Sequence, residues 1–283
     1  LSNEELGAVI ATGAPTANAR QSNFQTNTNE NKKEQGMNHI LLIHGAWGGA
    51  WEFQEIIDGL RKRGHQASAI DLPGHGQPSV PISEVTMDAY VQCVIEAAEA
   101  IEGPIVLVGH SLGGAVITQV AERAPRKIER LVYAAAILPR NGETPLGLMQ
   151  SDEAGQLLPK LVFSEDESYV TVGPEAVASV LLHDVREPER REAFLPRFAM
   201  KQATEPFQFA AGVTDQAFGS VPKTYIRASL DKVLSLPLQD RMLTGWEIDQ
   251  VFTLESGHFP LMSVPERLTA VISEAAGVAA TRA

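Results

Sequence analysis

The chain has 283 residues, 44% of them apolar, and carries a formal charge of −12 from 23 Lys/Arg and 35 Asp/Glu, which is enough material for one large α/β domain with a sizeable core. Three basic and four acidic residues fall in the first 36, so the acidity belongs to the folded body, and a body of that sign repels phosphate backbones and anionic lipid surfaces. Nucleic-acid and membrane-surface binding are therefore excluded as expectations, and small neutral substrates are not.

Residues 1–36 include "ANARQSNFQTNTNENKKEQG", too polar to bury a core. They are expected to be a disordered tail or a cloning remnant, with Met37 as the natural start. The opening "LSNEELGAVIATGA" lacks the basic and long apolar regions of a secretory signal, and the expected location is cytoplasmic. From Met37 to residue 139 strands and helices alternate. "HILLI" reads as a strand, Ala50 to Arg63 as a helix, "HQASAI" as a second strand and "DLPGHGQPS" as a loop broken by Pro and Gly. A helix follows from Met87 to Ala100, then the strand Ile105 to Val108, a packed helix after Ser111, and a strand in "IERLVYAAAI". Four strands separated by helices imply βαβ crossovers and a mainly parallel sheet.

After Pro139 the alternation breaks. Residues 140–220 contain Asn-Gly, several prolines, the acidic "SEDES" and a charge-rich "REPERREAFLPRF", and are expected to form a helical cap inserted into the core made by 37–139 and 221–283. The core resumes with a strand in "KTYIRAS", a helix from Leu236 to Met242, a strand in "EIDQVFTL" and a closing helix from about Leu261 to Ala275. The single cysteine, Cys93, sits in the helical "AYVQCVIEAAEA" and reads as core filler. No apolar run reaches the length of a transmembrane helix, and no Cys/His spacing suggests zinc.

Chemistry enters at "IVLVGHSLGGAV". The run Ile105 to Val108 is rich in β-branched residues and lacks polar alternation, as suits a strand covered on both faces. Gly109, Ser111 and Gly113 then give G-x-S-x-G, the spacing of a sharp strand-to-helix turn that exposes a serine hydroxyl. Its place at a helix N-terminus favours developing negative charge. A serine hydroxyl is a poor nucleophile at neutral pH and needs a histidine base and a carboxylate to orient it. Of seven histidines, His258 is the best placed, because "LESGHFPL" follows the last strand and precedes the last helix. Asp231, in "YIRASLDKVLS", lies just past the preceding strand, on the same sheet edge. Asp240 and Asp249 read as solvated surface charges and Asp71 as structural. The oxyanion donors expected by position are the amides of Ala46, in "IHGAWGGAW", and Leu112. His44 is expected to brace that loop.

Together "IHGAWGGAW", "DLPGHG", "VGHSLGG", "SLDKV" and "SGHFPL" resemble the α/β-hydrolase superfamily over residues 38 to 275, and within it the branch of plant methylesterases, hydroxynitrile lyases and bacterial carboxylesterases. The resemblance implies a six-stranded, mainly parallel sheet with flanking helices and a cap, no cofactor, and a triad of Ser111, Asp231 and His258. Hydroxynitrile lyases of this branch carry threonine after the first-loop histidine and lysine after the catalytic one. Here those positions are Gly45 and Phe259. Phenylalanine gives no charge for departing cyanide, and Gly45 is expected to leave room for a bound carbonyl.

The expected function is therefore a serine carboxylesterase acting on small, mostly neutral esters through an acyl-enzyme. A cyanohydrin lyase and a slow-turnover ligand receptor on the same fold are the alternatives. Substrate contacts are expected from Gly45, Trp47, Phe259, Leu146 and Phe163, with Leu148, Met149, Phe194, Phe198, Phe207 and Phe209 as further apolar candidates. The partner is a small ester, and a homodimer is left open.

Overall fold

The sheet explains where the chemistry sits. The computed structural model describes residues 39–76 and 80–277, all within one compact unit; the tail expected over 1–36 lies outside the described residues. β1 (His39–Ile43) leads through a 3-10 turn, Ala50–Phe53, and α1 (Gln54–Lys62) to β2 (Gln66–Ile70). α2 (Met87–Glu99) starts where Thr86 Oγ1 accepts from the Ala89 amide, a side-chain cap for one of the unsatisfied first-turn N–H groups. It returns the chain to β3 (Ile105–His110), which is buried from end to end. α3 (Gly113–Arg123) and β4 (Ile128–Ala134) follow.

With β8 (Lys223–Ala228) and β9 (Gln250–Leu254) from the end of the chain, the six-stranded sheet has the order β2-β1-β3-β4-β8-β9, with every pair parallel. From β1 the chain crosses to β2 on one side and then returns to β3 on the other. The strand order thus reverses between β1 and β3, and in open parallel sheets the crevice beyond the carboxyl ends at such a point is where ligands bind. Register fixes what meets there, because Ile43 pairs with Gly109 and His110 with Ala134. Continued two residues past Ile43 and Gly109, the same register brings Gly45 beside Ser111.

The insertion is not purely helical. α4 (Pro145–Gln150) is followed by β5 (Leu161–Phe163) and β6 (Tyr169–Val172), and α5 (Pro188–Phe194) by β7 (Gln202–Ala203). These strands form a separate antiparallel sheet in the order β5-β6-β7. Val177, Leu181, Phe198 and Phe207 of the insertion belong to the same buried cluster as β1 and β3, so it packs on the sheet and shares its core.

The core resumes with β8 (Lys223–Ala228), α6 (Leu236–Leu243), β9 (Gln250–Leu254) and α7 (Pro265–Gly277). The closing helix expected from Leu261 is broken in two. A short turn of helix, Pro260–Ser263, ends at Val264, because Pro265 disfavours helical backbone in the residue before it. Cys93 is also less central than expected: it is half-buried at the margin of α2, its thiol pointing to the Asp71 carbonyl, and burial raises its pKa. No helix among the described residues is long and apolar enough to cross a membrane.

Candidate active site

Ser111 adopts φ 53°, a left-handed conformation that costs a non-glycine residue energy and persists only where its surroundings impose it. The imposing contacts are backbone ones. A Cβ at Gly109 would lie 2.6 Å from the Gly113 carbonyl oxygen, and one at Gly114 would lie 2.3 Å from that of Ile137, so strand, turn and helix approach too closely for side chains. The Ser111 carbonyl accepts from the amides of Gly114 and Ile137, both at 3.0 Å, which pins the turn to the end of β4.

His258 and Asp231 arrive from the loops after β9 and β8. His258 Nε2 lies 2.8 Å from Ser111 Oγ, and its Nδ1 lies 2.8 Å from Asp231 Oδ2. Both side chains are almost fully buried. Asp231 Oδ1 accepts from the amides of Val233 and Leu234 at 2.7 and 3.0 Å, so the carboxylate is held by its own loop and presents its second oxygen to the imidazole. The two loops are laced together, with Ser229 N donating to Leu254 O and Leu230 N to Ser256 O.

The insertion reaches both loops through two residues that no local sequence pattern marks. His183 Nε2 donates to the Leu230 carbonyl at 3.0 Å, next to Asp231, and Asp184 Oδ2 accepts from the Gly257 amide, next to His258. Asp184→Ala is expected to lower kcat on esters about tenfold with KM changed less than twofold, while Asp184→Asn, which keeps an acceptor oxygen, stays close to the parent. Steady-state kinetics of the two variants check this.

On the other side of Ser111 runs the loop after β1. Ala46 and Leu112 are buried, and among the described residues their amides donate no hydrogen bond. The loop around them is braced. His44 Nε2 accepts from Leu72 N at 3.0 Å, so its Nδ1 carries the proton donated to Gly45 O at 2.7 Å. Burial, reinforced by nearby His75, lowers the His44 pKa to about 3. His75 joins Gly48 O to the Tyr90 hydroxyl, and Gln202 of β7 donates to that hydroxyl while accepting from Trp47 N at 3.4 Å. Asp71 Oδ1 accepts from Ala50 N at 2.7 Å, a bracing contact for the following turn. Gln202, completely buried, was not singled out in the sequence, since nothing local marks a side chain whose partners lie 112 and 155 positions away.

Gly45 does not leave the space expected of it. A Cβ there would lie 2.6 Å from Ser111 Cβ, so the residue is glycine because two backbones meet. Trp47, at φ 56°, and Phe259 do line the cavity at Ser111, together with Met149, Leu181 and Phe207. Leu146 and Phe163 do not; they line a neighbouring apolar cavity that shares Met149 and Phe207 as its wall. Leu148 is buried, and Phe194 and Phe198 pack against Trp51. Phe209 packs against the core cluster.

Asp240 and Asp249 are exposed, as expected of surface charges, and each also has a basic partner. Asp240 pairs with Arg227 at 2.6 Å, and Asp249 pairs at 3.2 Å with Arg130, a nearly buried side chain on β4. Among the described residues no group of three or more His, Cys, Asp or Glu is placed to hold a metal ion.

Residues 40–271 match the family model described as the alpha/beta hydrolase family. The chain is 30% identical over 249 residues to a pyrethroid hydrolase of Sphingobium wenxiniae, covering 83% of this chain and 86% of that one. It is 27% identical to an alpha-hydroxynitrile lyase of Arabidopsis thaliana over 241 residues, 81% and 93% of the two chains. It is 29% identical over 253 residues to the putative chloroplastic methylesterase 11 of Arabidopsis thaliana, covering 85% of this chain and spanning 64% of that longer protein. The crystal structure of a pyrethroid hydrolase from Sphingobium faniae superposes with a TM-score of 0.76 at 28% identity, over 85% of this chain and 97% of that one. With the family model spanning most of its length and the parallel sheet, the Ser111 turn and the loop histidine in place, this chain belongs to the alpha/beta hydrolase family.

Proposed function

We propose that the chain is a serine carboxylesterase that cleaves small, mostly neutral esters with apolar flanks. The observation that carries this reading is the continuous hydrogen-bonded line from Asp231 through His258 to Ser111 Oγ, beside the two uncommitted amides of Ala46 and Leu112. Ser111 Oγ attacks the ester carbonyl carbon and its proton passes to His258 Nε2. The carbonyl electron pair moves onto oxygen, where the two amides hold it. Each such donor is worth roughly 3 kcal/mol to the transition state. Collapse of the adduct breaks the bond to the alcohol, which takes the proton from His258 and leaves an acyl-enzyme. Water repeats the sequence with His258 as base and frees the acid and Ser111. Asp231, bonded to Nδ1, stabilises the transient imidazolium. Every step uses the chain's own groups and none needs a cofactor.

The apolar lining of the Ser111 cavity and the pyrethroid hydrolase and methylesterase relatives support ester hydrolysis of apolar substrates. The lyase relative keeps cyanohydrin cleavage as the competing reading. Against it stands position 259, where the imidazole meets a phenyl ring. Phe259 is buried against His110, His258 and Phe198, and a phenyl ring supplies no charge for a departing anion. Rates on p-nitrophenyl esters of increasing length, aryl methyl esters and mandelonitrile decide between them. Ester hydrolysis is expected to exceed cyanide release, and the reverse ranking would overturn the proposal.

Met149 and Phe207 wall the Ser111 cavity from the second apolar one. Met149→Ala is expected to raise kcat/KM for hexanoate and longer aryl esters about fivefold relative to acetate, read from the same chain-length series.

A further inference from the structure

Three buried polar atoms behind Ser111 face one another without hydrogen bonds: Glu52 Oε1, Glu52 Oε2 and His110 Nδ1. Glu52 sits in the 3-10 turn that ends the loop carrying Ala46, and its side chain is completely shielded from solvent. It packs so tightly beneath the loop that a Cβ at Gly48 would fall 2.0 Å from its Oε1. The Gly49 amide is near enough to act on the carboxyl electrostatically without meeting hydrogen-bond geometry. Oε2 lies 3.8 Å from His110 Nδ1. A buried acid without partners is strongly disfavoured when ionised, and neither the triad nor the oxyanion loop makes direct use of it.

The tautomer of His110 follows from its other nitrogen. Nε2 lies 2.8 Å from the main-chain carbonyl oxygen of His258. A carbonyl only accepts, so Nε2 carries the hydrogen. Burial, with His258 and His44 nearby, lowers the His110 pKa to about 3; the ring is neutral and Nδ1 presents a lone pair. Burial also raises the Glu52 carboxyl well above the usual range. The pair is thus one O–H donor and one nitrogen acceptor, and reaching the ~2.8 Å of such a bond needs about 1 Å of side-chain movement.

We propose that Glu52 is a positioning residue: as a neutral acid it donates to His110 Nδ1, fixing the tautomer whose Nε2–H anchors the His258 main chain beside Ser111. It would tie the oxyanion loop, the residue before the nucleophile and the backbone of the base into one chain of contacts. This rests on the esterase reading above for its kinetic consequence, but the tautomer does not.

The test uses Glu52→Gln, whose amide can still donate, and Glu52→Leu, which fills similar space without a donor. On p-nitrophenyl acetate, Glu52→Gln is expected within about threefold of the parent kcat. Glu52→Leu is expected to lose tenfold or more in kcat, with KM changed less than twofold. A purely space-filling role would leave the leucine variant at least as active as the glutamine one, and equal kcat in the two variants overturns the proposal. In parallel, long-range 1H–15N correlation of histidine-labelled protein, with His110 assigned by His110→Gln, is expected to show one protonated nitrogen, Nε2. Both nitrogens protonated, or Nδ1 alone, also overturns it. The spectrum needs neither turnover nor the leucine variant, so a protein without esterase activity would sink the functional reading and leave this one to be decided by the tautomer.

Discussion

Ser111→Ala is expected to lower ester turnover by at least about 10⁴-fold while leaving the fold in place, because members of a nucleophile–base–acid set act as a unit and removing any one forfeits most of the acceleration. The turn does not depend on the hydroxyl. Its left-handed backbone is imposed by the close approaches at Gly109 and Gly114, and alanine accepts that conformation at a cost similar to serine's. The loss is one hydrogen bond to His258, worth about 1 kcal/mol of stability, and Asp231 still holds the imidazole from its far side. Turnover assays and thermal unfolding read the two quantities separately. A fluorophosphonate should label the parent and not the variant, and an adduct mapped by mass spectrometry to another residue would remove Ser111 from its assigned role.

Local pattern carried most of the fold and much of the site. β1 and β3 were legible as strands because strands buried on both faces read as near-continuous apolar runs of Val, Ile and Leu, and once the strands were placed, the parallel edge pointed to Ser111, Asp231 and His258 by order alone. What local pattern could not carry were contacts made across the molecule. Gln202, His183 and Asp184 sit in stretches with no distinctive spacing, and each bonds to a partner far along the chain, as His183 does to Leu230, 47 positions away, and Gln202 to Trp47, 155 away; Glu52 likewise has nothing local to mark its approach to His110. Asp249 is at the surface as its sequence suggests, but its pairing with the nearly buried Arg130 was not legible, because that counter-charge lies on a different strand.

Gly45 shows a different limit. A glycine announces that a side chain is unwelcome but not whether the reason is space for a ligand or the approach of another backbone, and here it is Ser111 itself. The consequence bears on conversion toward lyase chemistry, since threonine at 45 would press on Ser111 and lysine at 259 would carry its charge into packed aromatic rings. The insertion misled in a third way. Its prolines and short elements conceal any period, so the apolar residues facing Ser111 could not be told from those, such as Leu146 and Phe163, that face the next cavity.

Asp231→Asn is expected to cost about 10⁴-fold in turnover at neutral pH, about 5.5 kcal/mol of transition-state stabilisation, although the replacement is nearly isosteric. The reason lies in what the loop demands of each side-chain atom. Oδ1 accepts from two amides, Val233 and Leu234, and only an oxygen can do that, so the asparagine must place its carbonyl there and its NH2 group where Oδ2 now meets His258 Nδ1. An NH2 group donates, so Nδ1 must become the acceptor and the imidazole proton moves to Nε2. That proton then faces Ser111 Oγ, and the base can no longer accept from the nucleophile it has to activate. The folded state loses little, since every hydrogen bond has a substitute, and thermal unfolding should change far less than turnover. Histidine nitrogen shifts provide the direct check: His258 carries its proton on Nδ1 in the parent and on Nε2 in the variant. A variant that keeps the parent tautomer and still loses its activity would show that Asp231 acts through its charge alone, whereas one that keeps both would remove it from the triad.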